Sequence, residues 1–422
     1  MGVPGHGAAV PYPGSWGPGP AGSAPETRPV MNASQPSQSP AISVVIPCLN
    51  EADTLEGCIR EAQEGIAEAG VEGEIIVADN GSTDDSRAIA KRLGARVVPV
   101  AARGYGSALM GGIAEARGRF VMMGDADGSY DFREIPRFWK RHLEGAELVQ
   151  GCRLPKGGGT VDEGAMPWLH RWVGNPMLTF LARTMFHAPI HDVYCGLRGF
   201  TPGLQERLDQ RCTGMEFAVE MIVKSSLRKE SIAEIPITLR RDGRKSHAPH
   251  LRTFRDGWRT LRYFLLFSPR WLFLIPGILL FVLGLVGGAL ALTGARIGPA
   301  TLGPHTLLFA GLALSCGYSA ILIAIFARTF AATEGLTPPS PALERFYRVF
   351  TLERGLVVSG LGLLIGSALL LRAFLHWRSV DWGPLDYSRT LRWVVPGVTL
   401  FALSFQTAIS GFFVSLLGMG RR

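Results

Sequence analysis

The sequence predicts an α/β domain built on a doubly wound sheet, followed by an amphipathic interfacial helix and four transmembrane helices. Three observations carry that reading. Short β-branched runs alternate with helical segments from Ala41 to Gly151, the pattern of strands joined by crossover helices. Four apolar segments follow, near Trp271 to Thr293, Thr306 to Ala327, Gly355 to Leu375 and Trp393 to Leu417, each close to the roughly 20 residues that cross a bilayer. Composition agrees, since 47% of the 422 residues are hydrophobic and only 18% charged, against roughly 25% charged in soluble domains.

Residues 1–40 are rich in Pro, Gly, Ser and Gln and nearly free of large aliphatic side chains. Such a tail cannot bury enough surface to offset its chain entropy and is expected to be disordered. It holds no apolar core of signal-peptide length, which predicts a cytoplasmic location for the domain at 41–250. There, Ala41 to Pro47 reads as a strand, and Asp53 to Ala69 as a helix opened by a capping box of Asp53 with Glu56. Glu74 to Ala78 is a second strand, leading through Asp79-Asn80-Gly81-Ser82-Thr83-Asp84 into a helix to Leu93. Arg96 to Val100 is a third strand, and Gly104 to Ala116 a helix entered through Gly104-Tyr105-Gly106. The strand Phe120 to Met123, the helix Arg133 to Leu143 and the strand Glu147 to Gly151 complete the alternation.

This order implies a parallel sheet, whose ligands bind beyond the carboxyl ends of the strands. The polar clusters obey that rule. Asn50 and Glu51, Asp79 to Asp84, Asp125 and Asp127, and Cys152-Arg153 all follow strands on one edge. Asp125 and Asp127, in RFVMMGDADGSYDF, would point to the same side of an extended chain. Two such carboxylates suit a hard divalent cation, Mg2+ or Mn2+, leaving other positions for water and phosphate. Asp and Gly also favour plain turns, but turn residues alone would mark both ends of the strands equally. The Asp79 loop suits a nucleoside, because a carboxylate accepts hydrogen bonds from base or ribose and Gly81 lets the backbone approach.

Other classes find no support. The chain lacks G-x-x-x-x-G-K-[ST], and Gly104-Tyr105-Gly106 is not G-x-G-x-x-G, which argues against ATP hydrolysis and NAD chemistry. The six cysteines form no C-x-x-C pair and no zinc-like spacing with histidine, so they read as reduced thiols. The net charge of +8 is concentrated in arginines before the apolar segments, which points to anionic lipid head groups and no nucleic acid.

The runs SVVIPCLNE, VADNGSTDDS, RGYGSALMGGI, MMGDADGS, VQGCRL, DVYCGLRGF and GMEFAVEM, in this order, resemble the family 2 glycosyltransferases of the GT-A fold, most closely the polyprenyl-phosphate mannosyl and glucosyl transferases. The resemblance covers about Ala41 to Ser246. It implies that Pro47, Asn50, Glu51, Asp79, Arg103 and Gly104 shape the donor-nucleotide pocket, with Asp125 and Asp127 holding the metal on the donor diphosphate. It further implies an acceptor-phosphate side made by Arg153, Arg171, Asn175, Arg244 and Lys245, with Asp192 and Glu216 as further catalytic acids. Glu216 and Glu220 share a helix face, and one of them reads equally as a satisfied structural acid. Two departures stand out: Ser129 occupies a position often held by Gln, and Arg244-Lys245-Ser246 replaces the usual Ser-Lys after Gly243.

The implied reaction moves a hexose from a nucleotide sugar to a polyprenyl (undecaprenyl- or dolichyl-type) phosphate. A lipid phosphate is already anionic, so the attack needs little general-base help, and positioning with charge neutralisation should dominate. One displacement inverts the anomeric centre. A processive polysaccharide synthase is the alternative enzyme, but its Q-x-x-R-W motif is missing, since Trp168 stands at the first position before Arg171-Trp172. A membrane scaffold or lipid-linked-sugar carrier is the non-catalytic alternative, disfavoured by intact Asp79, Asp125 and Asp127.

Residues 251–270 join this domain to the membrane region at 271–422. Arg252, Arg255, Arg259 and Arg262 recur at helical spacing, with Phe254, Trp258, Leu261 and Leu265 on another face, as an interfacial helix requires. An even number of spans returns Arg421-Arg422 to the starting side. The first connection holds only Arg296 and the second Arg328, Arg345, Arg348 and Arg354, so the catalytic domain and second connection are expected on the cytoplasmic face of the inner membrane. Pro341 to Leu352 is a second amphipathic segment. The spans carry few ionisable residues, as an anchor or a homo-oligomer surface would.

Overall fold

The structure is a computed structural model that describes residues 39–245, 253–334, 337 and 341–418. The tail up to residue 38, Ser246, Arg252 and the terminal Arg421-Arg422 lie outside the described residues. In chain order the first elements are β1 (Ile42–Cys48), α1 (Leu55–Glu68), β2 (Gly73–Asp79), α2 (Ser86–Arg92), β3 (Arg96–Pro99), α3 (Tyr105–Ala114), β4 (Phe120–Met123), α4 (Ile135–Leu143) and β5 (Leu148–Cys152). Then come β6 (Thr160–Val161), α5 (Asn175–Phe186), β7 (Arg198–Phe200), α6 (Pro202–Leu208), α7 (Glu216–Arg228), β8 (Ile232–Pro236), β9 (Thr238–Leu239) and α8 (Thr253–Phe267).

The main sheet has the order β3-β2-β1-β4-β7-β5-β8. Every residue of β1 is buried, as a central strand covered on both faces requires. Two apolar layers cover the sheet, one gathered around Phe120, Phe132 and Phe138, the other around Leu109, Phe217 and Phe264. The expected all-parallel sheet is corrected at one strand, because β7 runs antiparallel to both β4 and β5. Three residues are too few to show alternation, so this strand within the run DVYCGLRGF leaves no periodic signal in the sequence. Gly199 is needed there, since a Cβ would collide with the Phe120 ring. The capping box is also corrected. Thr54 is the N-cap of α1; Asp53 Oδ2 instead accepts from the Lys245 amide at 3.0 Å, and Glu56 pairs with Arg60 and Arg92.

A π-helical turn at His170–Gly174 enters α5, and α8 lies against α5 and α7 through Tyr263 and Phe264, the latter edge-on to Phe186. The Tyr194 hydroxyl donates to Thr260 Oγ1 at 2.5 Å, tying α8 to the α/β domain. Of the predicted interfacial face, Phe254 and Trp258 are exposed.

The remaining elements are α9 (Ile275–Thr293), the hairpin β10 (Arg296–Ile297) and β11 (Ala300–Thr301), α10 (Pro304–Thr333), α11 (Pro341–Val349), α12 (Leu352–Ser379) and α13 (Tyr387–Gly418). Four helical segments, Arg270–Thr293, Pro304–Thr333, Leu352–Ser379 and Tyr387–Leu417, are long and apolar enough to cross a membrane. Helix α10 packs on α9 and α13, and α13 packs on α12. Small residues make these approaches close, as expected where lipid offers no hydrophobic drive. Gly277 meets the Gly317 carbonyl across α9 and α10, and Gly362 lies on Ser404 across α12 and α13. Ser359 Oγ donates to the Ser404 carbonyl at 2.7 Å.

Candidate active site

The carboxyl ends of β1, β2, β4 and β5 open on one edge, because β1 pairs parallel with β2 and β4, and β4 and β5 both run antiparallel to β7 between them. On the β2 side, Asp79 is buried and already engaged. Its Oδ1 accepts from the Ser82 amide at 3.0 Å, while Oδ2 accepts from the Gly81 amide and from Arg87 Nε at 2.6 Å. Burial pushes its carboxyl up, but the Ser82 bonds and the Arg87 charge outweigh burial and hold it below the usual range. Asp79 therefore shapes the loop. Asn50 adopts a left-handed φ of 61° and accepts the Thr83 amide at 2.8 Å, closing the β1 turn onto the same loop. Pro47 lies within β1 beside Ala78.

Asn80, which the motif reading passed over, builds the next wall. Its Nδ2 donates to the carbonyls of Val100 and Ala102, and its Oδ1 accepts from the Gly104 amide at 2.9 Å. Arg103 Nη1 donates to the Asn80 carbonyl at 2.8 Å, which lays the guanidinium over Gly81. Gly104 has φ of 130°, and a Cβ there would collide with the Thr213 carbonyl. Glycine alone lets α3 start against the segment that leads into α7.

Asp125 and Asp127 follow β4. Asp125 Oδ1 accepts from the Tyr105 hydroxyl at 2.8 Å, and a Cβ on Gly196 would stand 2.8 Å from Oδ2. Burial, reinforced by the charge of Asp127, pushes the Asp125 carboxyl up to about 7, against the lowering effects of Tyr105, Arg244 and Arg153. Asp127 Oδ1 accepts from the Ser129 amide at 3.0 Å, and Oδ2 lies 3.6 Å from Arg244 Nη2. Two neighbouring carboxylates, one of them buried and crowded by the charge of the other, fit an all-oxygen divalent cation. Among the described residues no three His, Cys, Asp or Glu side chains converge as a metal cluster. A cation here would therefore be held by Asp125 and Asp127 and completed by water and ligand oxygens.

The predicted acceptor side divides. Arg153 and Asp192 form a buried bidentate pair, Nε to Oδ2 at 2.7 Å and Nη2 to Oδ1 at 3.0 Å, and Arg153 Nη1 points to the Tyr130 hydroxyl at 3.4 Å. Burial raises Asp192, but Arg153 outweighs burial and leaves it below the usual carboxylate range. Arg171 lies in the π-turn with Nε buried and without a hydrogen-bond partner among the described residues. Its guanidinium is 5.4 Å from the Trp172 ring, and Asn175 Nδ2 contacts Met166 Sδ. Trp168, Trp172, Met177 and Phe180 are exposed around it, whereas Leu178 belongs to the core. Arg244 lies on the other side, donating to Glu51 Oε2 at 2.8 Å, and the backbone amide of exposed Lys245 donates to Asp53.

Glu216 begins α7 with Oε2 buried and unpartnered among the described residues, close to Gly214. Glu220 is the structural acid of the two, accepting the Arg211 and Cys212 amides and pairing with Lys224 at 2.7 Å. Sequence reasoning also missed Arg198. It is fully buried and donates to the carbonyls of Cys195, Val193 and Ala218, fixing the loop that carries Asp192 and Gly196. Burial lowers its proton affinity from the usual arginine range. All six cysteines are free, and burial pushes Cys48 up to about 11 and Cys58 and Cys195 up to about 12.

The family model described as "Glycosyl transferase family 2" matches residues 43–204, and "Glycosyltransferase family 2 C-terminal transmembrane region" matches residues 325–418. The low-salt glycan biosynthesis hexosyltransferase Agl6 of Haloferax volcanii is 36% identical over 336 residues, covering 78% of this chain and 78% of its own length. The chain belongs to glycosyltransferase family 2. The same organism's dolichyl-phosphate hexose transferase is 31% identical over 166 residues, 39% of this chain and 69% of that protein. A crystal structure of glucosyl-3-phosphoglycerate synthase from Mycobacterium tuberculosis, with Mn2+, uridine diphosphate and glucosyl-3-phosphoglycerate, is 23% identical, with a TM-score of 0.41 over 54% of this chain and 78% of that one. This family 2 glycosyltransferase thus joins a GT-A-type mixed sheet to four candidate transmembrane helices and is a multi-pass membrane protein.

Proposed function

We propose that this glycosyltransferase moves a hexose from a nucleoside-diphosphate sugar to a polyprenyl phosphate, with inversion, at the cytoplasmic face of the inner membrane. The observation that supports the reading is the pair Asp125 and Asp127 on the strand edge shared with the Asp79 loop and with Arg153, beside the exposed aromatic residues of the π-turn. The dolichyl-phosphate hexose transferase relative supports the acceptor class. In this reading residues 41–250 are catalytic, 251–270 interfacial and 271–422 the anchor.

A divalent cation held by Asp125 and Asp127 would neutralise the departing nucleoside diphosphate. The Asp79 loop, Asn50 and Arg103 receive the nucleoside. Tyr105 orients Asp125 through its hydroxyl. Asp192 positions Arg153 rather than acting as a base, because both its oxygens are committed to that guanidinium. Arg171, whose buried Nε has no partner among the described residues, offers the acceptor phosphate a charged hydrogen bond. Glu216 presents an unpartnered oxygen for a substrate hydroxyl.

The decisive experiment is turnover by the full chain in nanodiscs with a panel of UDP- and GDP-sugars and undecaprenyl phosphate. One donor should give a lipid-linked hexose, and Asp127→Asn should lower the rate at least about a hundredfold, as for loss of a principal charge-stabilising group, with the fold intact. Full activity of that variant in EDTA would remove the cation from the mechanism.

A further inference from the structure

The segment Arg240–Lys245 lies across the candidate cation site as a strap. The Arg240 amide donates to the Ser129 carbonyl and the Gly243 amide to the Asp127 carbonyl, at 2.9 and 2.8 Å. A Cβ on Gly243 would stand 2.9 Å from the Thr54 methyl, so the strap follows the start of α1 closely. Arg244, where the resemblance leads one to expect serine, carries a guanidinium with 10% of its side chain exposed. Its Nε and Nη1 donate to Glu51 and Asp242, each at 2.8 Å, and its Nη2 is 3.6 Å from Asp127 Oδ2. A permanent positive charge is thus built against one of the two carboxylates that would ligate the cation.

We propose that Arg244 is an internal counter-ion that disfavours a divalent cation bound alone, so that cation and nucleoside diphosphate bind together. This rests on the reading of Asp125 and Asp127 as cation ligands. Like charges a few ångströms apart, at the effective dielectric of a protein surface, should weaken binding by at least about tenfold even after Glu51 and Asp242 offset much of the guanidinium charge. Withdrawal of Arg244 would break two ionic hydrogen bonds, to Glu51 and Asp242, so the repulsion is not easily relieved. A diphosphate reverses the sign, because its oxygens attract the cation and the guanidinium alike. The coupling is reciprocal, so the cation must strengthen nucleotide binding by the same factor.

The test is Mn2+ binding to the full chain in nanodiscs, read by the paramagnetic resonance signal of free Mn2+, alone and with UDP or GDP added in separate arms. Arg244→Gln should bind Mn2+ alone at least about tenfold more tightly than the parent and lose most of the gain that nucleotide confers. Arg244→Lys, which keeps the charge, should bind Mn2+ alone as weakly as the parent; the same tightening in both variants would overturn the charge argument. Asp127→Asn separates the two readings. If it abolishes Mn2+ binding while Arg244→Gln leaves the parent affinity unchanged or weaker, the counter-ion role is wrong. If it binds Mn2+ like the parent, the cation site itself is misplaced.

Discussion

The Arg153–Asp192 pair shows how one residue's partner changes its meaning. Asp192 is fully buried, and a buried carboxylate is tolerable only when charge and hydrogen bonds compensate its desolvation. Because its folded proton affinity lies below the unfolded value near pH 3.9, the pair's stabilisation is fully present above that pH. It is lost as pH falls through the lower folded value. Arg153→Ala should therefore cost about 3 to 5 kcal/mol near neutral pH, by stranding a buried charge. The difference from the parent should shrink on acidification, as Asp192 takes up a proton in the variant first. Thermal unfolding in detergent between pH 3 and 8 measures this, and a difference independent of pH would mean that Asp192 carries no charge in the parent. At this scale, Asp125 and Asp127 stand out in the sequence because they follow an apolar strand and are flanked by Gly124 and Gly128, although Asp127 lies in a turn and not in the extended chain that alternation requires. Tyr105 was not, because its hydroxyl reaches Asp125 across 20 residues of sequence and nothing in Gly-Tyr-Gly announces the contact. Arg198 was hidden for a related reason: its partners are backbone carbonyls, which leave no trace in residue identity.

Elements were readable in proportion to their periodicity. The strands up to β5 and their intervening helices alternate regularly, and the four spans are long uniform apolar runs, so both emerged close to their observed limits. Strand β7 did not, because it is three residues long and its place between β4 and β5 is set by long-range pairing. The failed capping box has the same origin: a tertiary partner, the Lys245 amide, takes the Asp53 carboxylate. Helix packing within the membrane region depends on glycine rather than on apolar character. At Gly317 a Cβ would overlap the Phe281 backbone and the Gly277 carbonyl. Gly317→Leu should force α9 and α10 apart and cost at least about 1 to 3 kcal/mol, the range for overpacked interiors. Gly360→Leu, where a Cβ meets nothing within 4 Å, is the matched control. Equal melting temperatures for the two variants in detergent would show that the α9–α10 contact contributes little.

At the scale of the whole molecule, exposed aromatic residues cluster where the π-turn entering α5 meets the start of α8. Trp168, Trp172 and Phe180, at and beside the π-turn entering α5, are 70%, 57% and 65% exposed, and Phe254 and Trp258 on α8 are 85% and 60% exposed. His170 Nε2 and Thr253 Oγ1 lie 2.9 Å apart and join the two parts. Aromatic residues of this kind favour the membrane interface, where a ring meets both lipid and water. Arg171 belongs to the same turn, so seating these rings in the interface would bring its guanidinium to the depth of a lipid phosphate. Two contributions can then be separated, chemistry at the phosphate and delivery from the bilayer. Replacing Trp168 and Phe180 together with Ser leaves the buried core untouched, because both are exposed, and keeps the Trp172 ring beside Arg171. It removes apolar contact worth about 1.5 to 3 kcal/mol per fully buried side chain, and less for partial insertion. The variant should need at least about tenfold more long-chain polyprenyl phosphate in nanodiscs for half-maximal rate, while a short, water-soluble isoprenyl phosphate is used as by the parent. An equal loss with both acceptors would place the aromatic residues in the reaction site itself, and no loss with either would leave the transmembrane helices as the sole means of delivery.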